Sequence, residues 1–259
     1  MRRIVLALAA IIAAFSPAAQ AQFIGPGGVV PVVANTPGLN ATLWRTDVSM
    51  TNLGGDPTPV MLVLLPEIRG GQQEFEPRTA GPFQVPAGGQ VTLSNVVESV
   101  FGLRNAKGGL SVLSADGAPL MVSTRTYNVA PTGGTFGQDS FGLLVANRGF
   151  IGGIAHDSFY RTNMGVLVPF VPSGTAISFD VRVRDTAGAE VGAGELVFTV
   201  PGVIQRSLST FGVDRLLDGW IEVTCSDPTL PWYGYASRVD EVTGDAVFRP
   251  ARGLQADAP

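Results

Sequence analysis

The sequence predicts an all-β fold made of two tandem antiparallel β-sandwich units related by internal duplication. Three observations carry that prediction. Among 259 residues, 33 Gly and 19 Pro interrupt the chain every few positions, and no amphipathic helical period runs beyond about three turns. Short segments alternate apolar and polar residues with period two, the signature of a strand with one buried face. Finally, LWRTDVSMTN (Leu43 to Asn52) returns 116 residues later as FYRTNMGVLV (Phe159 to Val168). An aromatic, an Arg and a Thr thus recur together in a chain of which only 15 % is charged.

The chain opens with Arg2 and Arg3, the apolar run IVLALAAIIAAF, and SPAAQAQ with small residues at Ala19 and Ala21. That is the pattern of a secretory signal peptide, residues 1–21, cut after Ala21; it is shorter than the roughly 20 apolar residues of a membrane span. The mature chain is expected in the periplasm or outside the cell, with no membrane anchor after cleavage. Cleavage leaves 15 basic and 21 acidic residues, a formal charge of −6. With no Lys/Arg cluster, nucleic acid is not expected as a partner. Cys225 is the only cysteine, so no intramolecular disulfide framework exists.

Residues 22–39 read as a linker, 40–145 as the first sandwich unit, 146–252 as the second and 253–259 as a disordered tail. VMLVLL (Val60 to Leu65) is a continuous apolar run suited to burial on both sides, and Pro66 to Pro82 reads as an insertion in the first unit. In AISFDVRVRD, Ile177, Phe179, Val181 and Val183 share one face while Ser178, Asp180, Arg182 and Arg184 share the other. ELVFTV (Glu195 to Val200) and WIEVTCS (Trp220 to Ser226) alternate likewise. Ser94 and Ser209 are expected to open short helical turns as hydroxyl caps. Five blocks repeat in the same order: WRTDV with YRTNM, FQVP with FTVP, SNVVESVFGL with STFGVDRLL, GGLSVLS with GWIEVTCS, and STRTYNVAPTGGTF with YASRVDEVTGDAVF. Their offsets all lie between 111 and 116 residues, which argues for duplication.

The succession R-T-D, TRTYN, GGTFGQ, R-T-N and YASRVDEVTGD..F resembles a group of uncharacterised secreted bacterial proteins with tandem β-sandwich (Ig-like) units. The resemblance spans roughly residues 35 to 250 and implies the architecture; it implies no chemistry for particular residues. Asn52 closes the first strand of one unit, and Val168 stands at that place in the other.

Along LWRTDV, Arg45 and Asp47 point to one side of a strand and Trp44, Thr46 and Val48 to the other; Arg161 and Asn163 stand likewise opposite Tyr160, Thr162 and Met164. One reading makes each Arg a cross-strand partner of a carboxylate, Asp240 in the second unit, with the aromatic in the core. The other makes Trp44, Arg45, Tyr160 and Arg161 a recognition patch. His156, the only histidine, sits in IAHDSF, where neighbouring side chains on an extended segment cannot converge as a triad, and no G-x-S-x-G elbow occurs. It reads as a lone loop histidine. One His and one Cys cannot assemble a zinc site. Cys225 shares a strand face with Ile221 and Val223 and reads as a buried structural thiol. DEVTGD offers Asp240, Glu241 and Asp245 as calcium ligands, although without the D-x-D-x-D-G order. No cofactor is expected.

These readings converge on a secreted, non-catalytic binding or structural module with a protein or glycan partner. The alternatives are an accessory subunit of an exported surface assembly and a carboxylate-dependent carbohydrate-active enzyme, whose acid pair no motif reveals.

Overall fold

The computed structural model describes residues 23–38, 41–129 and 135–253; the expected signal peptide lies outside them. The described chain is all-β and divides into two compact units. The N-terminal unit contains β1 (Phe23–Gly25), β2 (Gly27–Pro37), β3 (Leu43–Asn52) and β4 (Thr58–Pro66). A small hairpin of β5 (Ile68–Arg69) and β6 (Gln72–Gln73) follows, then β7 (Arg78–Val85), β8 (Gln90–Leu93), the one-turn helix α1 (Val96–Ser99), β9 (Ala106–Ser114), β10 (Leu120–Val129) and β11 (Thr135–Gln138). The C-terminal unit contains β12 (Leu144–Val145), β13 (Arg148–His156), β14 (Tyr160–Val168), β15 (Ile177–Asp185), β16 (Glu190–Phe198) and β17 (Gly202–Ser207). After a 3-10 turn at Leu208–Phe211 come β18 (Leu216–Cys225), β19 (Trp232–Asp240), β20 (Ala246–Pro250) and β21 (Arg252–Gly253). This unit also takes in Ile68–Gln72, and Ile68 is buried in its core.

Each unit has two layers. In the N-terminal unit the first layer is β7-β4-β9-β2 and the second β8-β3-β10-β1, joined where Asn35 of β2 pairs with Arg45 of β3. In the C-terminal unit the first layer is β16-β15-β18-β13 and the second β17-β14-β19-β12. The registers recur as well. Val48 lies opposite Thr124, and Met164 opposite Ala236; Val63 opposite Ser111, and Arg182 opposite Glu222; Gly25 opposite Leu120, and Val145 opposite Trp232. Even the irregularity repeats: the ladder slips between Val30 and Val33, which faces Gly108, and again before Ile154, which faces Gly219. Both facing residues must be glycine. A Cβ on Gly108 would run into the Leu65 carbonyl, and one on Gly219 into the Arg184 carbonyl.

Alternation explains both cores. Val48, Met50, Leu62, Leu110 and Leu120 of the N-terminal unit are fully buried on inward faces. In the C-terminal unit Phe179 meets Phe198 and Trp232 edge-on, at centroid distances of 5.5 and 5.2 Å, beside Ile151, Met164 and Ile221. Burying side chains of this size contributes about 1.5–3 kcal/mol each.

Several expectations are corrected. The supposed linker contains β1 and β2: the β-branched run Val29, Val30, Val32 and Val33 builds a strand despite the glycines and Pro31 around it. The units divide between Gly142 and Leu143. Arg252 and Gly253 form a strand on β13, so the tail does not begin at 253. The FQVP and FTVP blocks are two residues out of step, because Val85 faces Thr58 as Phe198 faces Ile177. The N-cap positions are held by Asn95, left-handed at φ 47° and without a side-chain cap bond, and by Ser207, whose hydroxyl accepts from Ser209 N–H. Neither Ser94 nor Ser209 is the cap.

Candidate functional site

The outer faces of the layers differ between units. On the second layer of the N-terminal unit the outward row is polar: Arg45, Asp47, Ser49 and Thr51 on β3, and Ser123, Arg125 and Tyr127 on β10. Hydroxyl and amide groups pair along it, Ser49 with Thr92 at 2.9 Å and Thr51 with Gln90 at 3.0 Å. The matching row of the C-terminal unit opens with half-buried Arg161 and Asn163 and continues through Gly165, Leu167, Tyr233, Tyr235, Ser237 and Val239, all buried. Tyr235 stacks on Phe248 at 5.4 Å, its hydroxyl bonded to Gln205 Oε1 at 2.9 Å, and a Cβ on Gly165 would run into its ring.

The recurrent Arg-Thr pair divides its work. Thr46 is buried; its hydroxyl accepts from Ala34 N–H at 2.9 Å and meets the Thr126 hydroxyl at 3.0 Å, tying three strands together. Thr162 likewise donates to the Ala155 carbonyl. Arg45 faces outward beside Tyr127, its register partner, and its Nε is buried without a hydrogen-bond partner among the described residues. Asp47 Oδ1 accepts from Asn95 N–H at 2.8 Å and from the Tyr127 hydroxyl at 3.4 Å. Asn95 Nδ2 donates to Glu98 Oε2 at 2.9 Å, and Glu98 Oε1 accepts from Arg104 Nε at 2.8 Å. The Arg125 guanidinium lies 4.7 Å from the Tyr127 ring centroid. Burial, reinforced by the Asp47 charge, pushes the Tyr127 hydroxyl pKa up.

This cluster of Arg45, Asp47, Asn95, Arg125 and Tyr127 is the candidate site. Trp44 projects from the opposite face of β3 and does not join it; Tyr127 is the aromatic beside Arg45. The signal that could have found it is TRTYN, which puts Arg125 and Tyr127 two apart on one strand face.

In the C-terminal unit the structure separates the other candidates. Arg161 pairs with Glu241, not with Asp240, at 2.9 Å. Register explains the correction: Tyr160 lies opposite Asp240 and Arg161 opposite Val239, so Asp240 shares the Tyr160 face. Tyr160 instead carries Arg238, at 5.0 Å. Asp240 caps its own turn through Val242 N–H, Thr243 N–H and the Thr243 hydroxyl; the Thr243 N–H bond chiefly holds its carboxyl below the usual range. Asp245 accepts from Ala246 N–H. The proposed calcium ligands are thus spent on a turn and an ion pair, and no three His, Cys, Asp or Glu among the described residues group as a metal site. His156 ends β13, where its Nδ1 accepts from Thr162 N–H at 3.2 Å and burial lowers its pKa; it is a strand-end residue, not a loop one. Cys225 is 4 % exposed, and burial raises its thiol pKa.

No protein-family model matches the chain, and no curated protein matches it. Among solved structures, two of a glycosyl hydrolase family 2 member from Bacteroides cellulosilyticus align at 9 % identity, with TM-scores of 0.21 and 0.18. The alignments cover 81 and 80 % of this chain but 28 and 26 % of theirs. The chain spans about a quarter of the length of those structures, and likeness this slight carries no argument. Among the described residues no helix is long and apolar enough to cross a membrane.

Proposed function

We propose that the chain is a secreted, non-catalytic binding module of duplicated β-sandwich units, with the Arg45–Tyr127 face of the N-terminal unit as its contact surface for a protein or glycan. Its place of action is the periplasm or the cell exterior, on the strength of the signal sequence. The recurrence of registers and of the slipped glycine favours duplication. The observation that carries the binding reading is the polar sheet face on which Arg45, its Nε without a hydrogen-bond partner among the described residues, stands beside a tyrosine capped by a second arginine. Arginine and tyrosine in this arrangement supply donors and a flat contact at little conformational cost. Asp47, the acid of the cluster, and its neighbour Glu98 are committed to Asn95, Tyr127 and Arg104, which suits positioning rather than hydrolysis.

The test is affinity capture from culture supernatant with parent, Arg45→Ala and Tyr127→Ala chains. Loss of a captured partner in both variants, at parental melting temperature, supports the reading; capture indifferent to both substitutions contradicts it.

A further inference from the structure

The outer face of the first layer of the C-terminal unit carries a ladder that the proposed site does not use. Across β15, β18 and β13, Arg184 lies opposite Trp220 and Trp220 opposite Gly152; Arg182 lies opposite Glu222 and Glu222 opposite Phe150. The Arg184 guanidinium sits 5.7 Å from the Trp220 ring centroid, and the Phe150 ring sits 6.0 Å from it, tilted by 44°. Glu222, 8 % exposed, bonds Arg148 and lies 3.8 Å from Arg184. At Gly152 the surface is open: a Cβ there would meet no heavy atom within 4 Å. The indole therefore borders a backbone-floored shelf, with its rim set by paired arginines and acids.

The fold does not demand this ladder. At the matching registers the N-terminal unit has Leu65, Gly109, Ser111 and Val29, all buried, and the half-buried Val63. Charge narrows the occupant. Arg148, Arg182 and Arg184 face Asp180, Glu190, Glu195 and Glu222, so the face is nearly balanced and offers no net field to a polyanion or polycation. What it does offer is the part of the half-exposed indole that Arg184 and Phe150 leave uncovered, for an apolar ring surface, surrounded by charged donors and acceptors suited to hydroxyl groups.

We propose that this face is a second binding surface, for a neutral polysaccharide, with Trp220 as the stacking platform and the Gly152 shelf as the bed of the chain. It rests on the secreted binding reading only for access to such a polymer.

The experiment is retention of the full chain on insoluble glucan, chitin, mannan and xylan, with polygalacturonate as the acidic control. The parent is expected to be retained by a neutral polymer in preference to the acidic one. Trp220→Ala is expected to weaken retention about tenfold or more, the weight an aromatic anchor carries. Gly152→Val, which fills the shelf and leaves the indole in place, is expected to do the same at unchanged melting temperature. Retention on no neutral polymer, or retention that survives both substitutions, overturns the proposal. So does a protein partner lost with Trp220→Ala in the absence of polysaccharide retention. Loss in Arg45→Ala alone overturns it too, while leaving the broader binding reading standing.

Discussion

In the N-terminal unit Arg45, Arg125 and Tyr127 stand on a half-exposed second layer, while Val29 and Leu65 are buried on the outer side of the first. In the C-terminal unit the assignment is reversed: Arg182 and Trp220 stand on the outer side of the first layer, and Leu167 and Tyr235 are buried on that of the second. One pattern of strand pairing thus tolerates opposite choices of which outer face meets water. The pairing is fixed by inward residues and by glycines at the slipped register, and neither constrains what points outward. Outer faces are where the units differ in chemistry, so they are where function is to be sought.

Substitutions at matching positions break or sharpen this comparison. The largest effect is expected for Tyr235→Ala, which removes a fully buried ring and should cost about 3–5 kcal/mol in urea unfolding. Ser123→Ala, at the matching place, should stay within about 0.5 kcal/mol. Equal costs at the two places would break the comparison. The first layer should show the inverse: Leu65→Ala should cost about 2–5 kcal/mol, and Arg184→Ala at most about 1 kcal/mol, since its ion pairs are partly solvated. Next comes overpacking. Gly165→Val pushes a side chain into the Tyr235 ring and should cost about 1–3 kcal/mol, whereas Ser49→Val, on the half-exposed row, should be nearly neutral.

Smaller effects separate the two arginines. Arg161→Ala strands Glu241 in a partly exposed pair and should lower stability by about 1 kcal/mol or less. Arg45→Ala removes a group whose Nε has no partner among the described residues and should leave stability within about 0.5 kcal/mol while abolishing partner capture. A clear stability loss in Arg45→Ala with capture intact would return that residue to a structural role.

The smallest effect is common to both units. Asp116 and Asp227 follow β9 and β18 at matching places; the Ser114 and Thr58 hydroxyls hold Asp116 down to about 2, and Thr229 holds Asp227 below the usual range. Folding favours the ionised form of each, so their contribution is full above about pH 4 and is lost as pH falls below it, for Asp116 as pH approaches about 2. Titration of the Asp116 carboxyl carbon by NMR should give a midpoint of about 2; a midpoint near the unperturbed value of about 3.9 would contradict the hydrogen-bonding account.

Most strands beyond residue 40 are legible in the sequence, and the same patterns carry the reversal of faces. AISFDVRVRD alternates strictly because its outer face is solvated, while VMLVLL, its counterpart by register, is continuously apolar toward its end, where Leu64 and Leu65 are both buried. LWRTDVSMTN alternates, while its counterpart ends in GVLV, buried on both sides. The site was less legible. Asn95, itself bonded to Glu98, reaches Asp47 only through the turn after β8, a long-range closure that no local pattern encodes. The partner of Arg161 was missed by one residue, because the face of Glu241 depends on the β14–β19 register. The strands at 23–37 were hidden by glycine and proline, which mark loops by frequency but here flank a valine-rich ladder.

The most direct measurement is hydroxyl-radical footprinting of the full chain, read residue by residue by mass spectrometry. The account predicts oxidation of Tyr127 and Trp220 in the native protein, with Tyr233 and Tyr235 protected until unfolding. Native oxidation of Tyr235 at the rate of Tyr127 would contradict it.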